Sequence, residues 1–155
     1  IAAKVLGGLG KPKAKLRRPK ALVMAIKPKY AKAIYEGRKN WEFRKSPPPL
    51  FKDIYIYESA PVSKITGVVM FSESVRGCPL IVYEIAKHCW SDTKNLPGIS
   101  EKDLEIYAGR SLVTALRVYR ARRLDHEICF QAKPPQNWGT YSAVHAEETR
   151  GGGEE

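Results

Sequence analysis

Gly37-Arg38-Lys39-Asn40-Trp41-Glu42-Phe43-Arg44 is the stretch on which the reading of this chain turns. It follows a short helical pattern and runs into Lys45-Ser46 and three prolines, Pro47 to Pro49. From Asn40 to Lys45 the residues alternate as a strand does, with Trp41 and Phe43 on one side and Glu42 and Arg44 on the other. A lysine, a glutamate and an arginine thus stand beside two large aromatics. That mixture suits a site for something both anionic and flat. It also describes a plain amphipathic strand with its rings inward and its charges in water.

Outward from this stretch the pattern is orderly. Ala21 to Ile26 is a short continuous apolar run, expected as a buried strand. Pro28 sits where a first helical turn tolerates it, Ala31, Ile34 and Tyr35 share a face, and Gly37 is placed to end the helix. Downstream, Asp53 to Glu58 reads as a strand closed by Ser59-Ala60-Pro61. Ile65 to Ser72 is a longer strand, apolar on both faces, with Gly67 marking a bulge or bend. A helix is expected over Pro79 to Trp90, its stripe formed by Val82, Ile85, Ala86 and Cys89. Ser100-Glu101-Lys102-Asp103 resembles a capping box and opens a helix that buries Leu104 and Tyr107 and stops at Gly109. Leu112 to Tyr119 is expected as a strand with Leu112, Thr114, Leu116 and Val118 on one face. Arg117, Arg120, Arg122 and Arg123 crowd its other face and its exit. Pro134-Pro135-Gln136-Asn137-Trp138 closes the pattern as an extended segment. Strands broken by one early helix and a later pair predict an α+β fold, a small barrel of about five to six strands flanked by short helices.

The 155 residues suffice for one domain with a real core. The organisation expected is a flexible basic arm over 1–19, the domain over 20–145, and a disordered acidic tail over 146–155. A net charge of +11 and a pI near 9.7 favour phosphate-rich partners such as a nucleic acid, with an anionic membrane surface as the weaker alternative. Cys78, Cys89 and Cys129 are odd in number and irregular in spacing, so they read as buried free cysteines in a reducing, cytoplasmic setting. Their spacing makes no zinc site, and neither metal nor cofactor is expected. No apolar run approaches the roughly 20 residues of a membrane span, and Ile1 to Leu6 lacks the basic leader of a signal peptide. A monomer with no membrane association is the expectation.

Gly37 to Arg44 fits Gly-x-Lys-x-x-Glu-x-Arg, the signature of ASCH domains in the PUA-like superfamily. Lys27 to Ile34 resembles the first helix of that family, and Ile54 to Val62 its next strand and turn. Ala115 to Val118 with Arg122-Arg123-Leu124 resembles its late strand, and Pro134 to Trp138 its closing Pro-Pro-Gln segment. In family order these pieces cover roughly residues 20 to 143. The resemblance implies a compact PUA-like barrel with a cleft beside the signature. It also implies a module regarded mainly as RNA-binding, with a few members acting as hydrolases on N4-acetylcytidine or on RNA. By position, Lys39 matches the lysine that is catalytic in the amidohydrolase branch. Glu42 stands where that branch has a threonine nucleophile, although it matches the commoner form of the motif. The glutamate which that branch uses after the central strand has no counterpart near Leu96-Pro97-Gly98.

On chemistry alone, a lysine binds phosphate as a point charge, or acts as a base when burial and neighbouring cations lower its pKa. Arg38, Arg44 and Lys45 are the neighbouring cations. Glu42 can orient Lys39, take a proton from water, or hold the amino group of a base. Arg44 can grip a phosphate with two donors, and Trp41 or Trp138 can stack on a base. Core packing is the competing account of both tryptophans and of Trp90, and a local ion-pair network that of the charged trio. The candidate ligand-binding residues are Lys39, Glu42, Arg44, Arg38, Trp41, Gln136, Trp138 and Arg117. Lys39 and Glu42 become the catalytic pair if the protein is a hydrolase acting on RNA or a modified nucleoside. Strict alternation puts those two on opposite faces, so they share a cleft only if Lys39 lies in the turn before the strand. Tyr55 and Tyr57 face away from Ile54 and Ile56, and either pair suits a cleft wall.

Overall fold

A computed structural model describes residues 20–88 and 96–142, so the expected basic arm and acidic tail, together with Cys89 and Trp90, lie outside the described residues. In chain order the elements are β1 (Lys20–Ile26), α1 (Pro28–Tyr35), β2 (Trp41–Arg44), β3 (Ile54–Glu58) and β4 (Lys64–Gly77). They continue with α2 (Pro79–His88), α3 (Glu101–Ala108), β5 (Val113–Ile128) and β6 (Trp138–Ser142). The fold is α+β. Among the described residues, six strands form one mixed sheet in the order β2-β5-β4-β3-β1-β6. Of these, β1 and β3 run parallel, joined by a crossover through α1 and β2, and the other neighbours are antiparallel.

The sheet curls without closing. Its edges, β2 and β6, exchange no ladder, yet side chains bridge the seam. Arg44 Nη1 donates to Asn137 Oδ1 (2.9 Å), and its Nη2 donates to the Ala25 carbonyl (2.7 Å). Asn137 Nδ2 and Trp138 Nε1 both donate to the Ser46 carbonyl, at 2.8 and 3.1 Å. Polar groups at two strand edges are thereby satisfied without a sixth ladder.

Alternation on the central strands sorts the core. Met24, Ile26, Ile54, Ile56, Val69, Phe71 and Leu116 pack inside the curl against Ala31 and Ile34 of α1. Each such fully buried side chain contributes roughly 1.5–3 kcal/mol. Trp41 and Phe43 face outward from the curl onto α2 and α3, meeting Val82, Ala86, Leu104 and Ala108. A third cluster gathers Val23, Tyr57, Ile65 and Ile128. Gly67 marks a register shift of β4 against β5, where a side chain would overlap the Tyr35 ring and the Arg122 carbonyl. Among the described residues no helix is long and apolar enough to cross a membrane.

Several expectations need correcting. β4 and β5 are 14 and 16 residues long, well beyond Ser72 and Tyr119. The distal half of each turns one face to water, so the apolar signal fades, while the ladder continues through Glu73↔Arg117 to Gly77↔Val113 in β4 and through Gly67↔Arg123 to Ile65↔Ile128 in β5. The arginines from 117 to 123 therefore lie within a strand, not at its exit. Leu112 precedes β5 and is 51% exposed, and Tyr107 on α3 is 40% exposed instead of buried. Cys78 and Cys129 are exposed, because each falls just outside an element and carries no core face. Strand β6 starts at Trp138, where the extended Pro134–Trp138 segment was expected to finish.

Candidate functional site

The turn after α1 is built from its glycine. Gly37 has φ +73°, a conformation that a side chain disfavours. Its N–H bonds the Ile34 carbonyl, and the Arg38 N–H bonds the Ala33 carbonyl (2.8 Å). This paired closure is the Schellman arrangement. The Lys39 N–H shares the Ala33 carbonyl at 3.1 Å, so Lys39 is held in the turn, two residues before β2 begins. The condition for a shared cleft is met: Lys39 and Glu42 line the same cavity, of about 690 Å³.

A distant loop completes the position of Lys39. Asn40 bonds Leu96 twice, its N–H to the carbonyl (2.9 Å) and its Oδ1 from the amide (2.7 Å). The next carbonyl, of Pro97, accepts from Lys39 Nζ at 2.7 Å. Gly98, at φ +68°, lies against the Lys39 stem so closely that a Cβ would overlap it. The ammonium also approaches the Tyr30 and Phe43 rings, at 5.2 and 5.4 Å from their centres. Lys39 is 2% exposed. Burial lowers its pKa, the nearby Glu42 charge opposes that shift, and Arg44 adds to it.

Glu42 is 6% exposed. One carboxylate oxygen takes the Arg44 Nε–H at 3.3 Å, and the other, Oε2, has no hydrogen-bond partner. A buried carboxylate oxygen lacking a donor is a place where a ligand N–H or O–H would be welcome. Arg44 also lines the cavity, but its guanidinium is spent on Glu42, Asn137 and Ala25. It positions Glu42 and is not a free phosphate fork.

The other candidates divide. Gln136 lines the cavity and is exposed. Trp41 is 0% exposed in the core, so its ring offers no face for stacking, and its Nε1 has no partner. Trp138 latches the seam through Ser46 and does not line the cavity. Arg38 points to solvent and pairs with Glu36 (2.6 Å). Arg117 sits opposite Trp41 in the β2–β5 register, with Glu73 at 3.9 Å, and also stands outside the cavity. Trp41, Trp138, Arg38 and Arg117 thus do not line this cavity. Burial, seam closure and a local ion pair decided those side chains.

Lining residues that the sequence did not single out are Lys27, Lys29, Tyr30, Ser59, Ser63 and Asp103. Tyr57, from the expected tyrosine pair, lines it as well, whereas Tyr55 borders a separate cavity of about 470 Å³ with Asp53, Arg120 and Arg122. The basic run Lys27-Pro28-Lys29 at a helix start was the available signal. Ser59 and Asp103 left none, since they reach the site only through the β3 turn and α3.

Residues 24–89 match the family model for the ASCH domain. No curated protein matches the chain significantly. Among solved structures, the chain is similar to the ASCH protein of Zymomonas mobilis at 26% identity and TM-score 0.62, covering 77% of this chain and 86% of that one. A tyrosine-to-phenylalanine mutant of the same protein aligns at 25% identity and TM-score 0.62, over 78% and 89% of the two chains. A serine-to-alanine mutant, at 24% identity and TM-score 0.65 over 80% and 89%, agrees in fold.

Proposed function

We propose, from the premise that this chain carries an ASCH domain, that the cavity beside its signature binds a nucleotide or base of a nucleic acid, RNA foremost. The observation behind this reading is the floor of the cavity. There a buried cation, Lys39, and a half-engaged carboxylate, Glu42, stand beside the Tyr30 and Phe43 rings. Lys39 Nζ would donate to a base carbonyl, Glu42 Oε2 would accept from a base amino or imino group, and Gln136 would add a polar contact at the rim. Arg120 and Arg122 beside Tyr55, together with the basic N-terminal residues, would supply further phosphate contacts. Binding measured by fluorescence anisotropy on single-stranded RNA should weaken steeply with salt, and more mildly on Lys39→Ala. RNA retention at physiological salt no better than that of an unrelated protein of equal charge would sink the reading.

A hydrolase acting on RNA or on a modified nucleoside is the second reading, and the lowered pKa of Lys39 favours it. A lysine that loses its proton more easily can act as a general base. Here Lys39 would take a proton from water while Glu42 assists. Turnover of RNA or an acylated nucleoside, lost on Lys39→Ala with the fold intact, would decide for this reading.

A further inference from the structure

The first turn of α1 carries its charges the wrong way round. A helix N-terminus exposes unpaired N–H groups and the positive end of its dipole, so acids stabilise it and cations do not. Here Lys27 is the N-cap residue and makes no side-chain cap bond, no acid occupies the first turn, and Lys29 follows Pro28. Both lysines are exposed, and both line the cavity mouth. Placing two cations on a positive helix end works against the stability of α1. Local rules are broken in this way where a ligand compensates.

The cavity floor supplies an independent observation. Glu42, 6% exposed and lining the cavity, has a buried oxygen without a donor. Floor and mouth are linked by one ring: Lys39 Nζ lies 5.2 Å and Lys29 Nζ 4.8 Å from the centre of Tyr30. The two ammonium groups are thus separated by no more than those two lengths end to end, within reach of one nucleotide. A base alone would satisfy Glu42 and leave the lysine pair without a counter-charge. A nucleotide would satisfy both. Asp103 of α3 lines the same cavity, so the phosphate belongs on the α1 side.

Resting on the nucleotide reading above, we propose that the ligand must carry a phosphate, held at the mouth by Lys27 and Lys29 at the start of α1. The cavity then takes a nucleotide unit in preference to a free nucleoside.

Calorimetric titration of the protein with the four nucleosides, their 5′- and 3′-monophosphates and short RNA oligonucleotides tests this, using wild type and a Lys27→Gln/Lys29→Gln double variant. At least one monophosphate should bind wild type about tenfold or more tightly than its nucleoside, as a charge-assisted contact to phosphate would give. In the double variant that ratio should fall to about one, with nucleoside affinity unchanged and no loss of melting temperature. If the free monophosphates gain nothing over their nucleosides, the proposal falls even where oligonucleotide binding depends on the lysines, since loss of any cation weakens binding to a strand. Equal binding of nucleoside and phosphate forms, or full discrimination by the double variant, overturns the proposal and leaves the cavity reading intact. If wild type binds none of these compounds, both fall.

Discussion

Lys39 brings its ammonium to a position 2% exposed, where one carbonyl and two aromatic rings replace water. Burial disfavours the charged form and lowers its pKa from the ordinary lysine value of 10.5. In the unfolded chain the amine keeps its proton more firmly. Between the folded and unfolded pKa values the unfolded state therefore binds more protons, and stability rises with pH. The contribution from Lys39 is full above the unfolded value and is lost as pH falls through the folded one. Urea unfolding of wild type and Lys39→Met over the alkaline range should show this as a difference. Wild-type stability should climb relative to the variant as pH approaches 10.5, and parallel curves would mean that Lys39 titrates normally. Glu42 makes the complementary point, since one of its oxygens is held by Arg44 and the other is buried without a donor.

At the scale of elements, the loop before α3 acts as a clamp on the signature. Asn40 fixes Leu96, Pro97 receives the Lys39 ammonium, and Gly98 packs on the lysine stem. Ser100 then caps α3 by accepting from the Asp103 N–H (3.0 Å), which seats Asp103 at the cavity. Two glycines with positive φ separate strain from contact. Gly109, at φ +57°, has open space where a Cβ would project, whereas Gly98 has the lysine there. Gly109→Ala should destabilise by about 1–3 kcal/mol through its backbone alone, since φ +57° with ψ −117° is a region that side chains avoid. Gly98→Ala should exceed that and also weaken nucleotide binding, because the stem of Lys39 must move. Equal losses of stability with unchanged binding would show that the loop does not set the lysine.

For the molecule as a whole, the barrel depends on a seam made of side chains. Arg44 ties β2 to the backbone of β1 and to Asn137 ahead of β6, while neutralising Glu42. The seam and the cavity floor therefore share one guanidinium. Arg44→Met should destabilise by about 3–5 kcal/mol, since it strands a buried carboxylate. It should also speed amide exchange in Trp138–Ser142 more than in the central β4–β5 ladder. Uniform loss of protection across all six strands would mean that the seam is not a separate weak line. Arg38→Met, removing a solvent-facing pair with Glu36, should leave binding and melting temperature unchanged.

What could be read from the chain alone was local. Gly37 ended a helix and turned the chain, Trp41 and Phe43 alternated onto one buried face, Ser100 marked a cap, and the signature pointed to its own neighbourhood. These follow from backbone preferences and side-chain periods whose range is a few residues. Folding in three dimensions settled which polar groups were spent and which were left. Lys39 found its carbonyl 58 positions away at Pro97, and Arg44 its amide 93 positions away at Asn137. Such partners leave no mark on the flanking sequence. Trp138, a stacking candidate in the sequence, became a latch, and Lys27 and Lys29, read there only as part of the first helix, came to stand at the cavity mouth. The physical reason is reach: a side chain's period sets the face it takes, but its partner is set by the fold that brings distant backbone to that face.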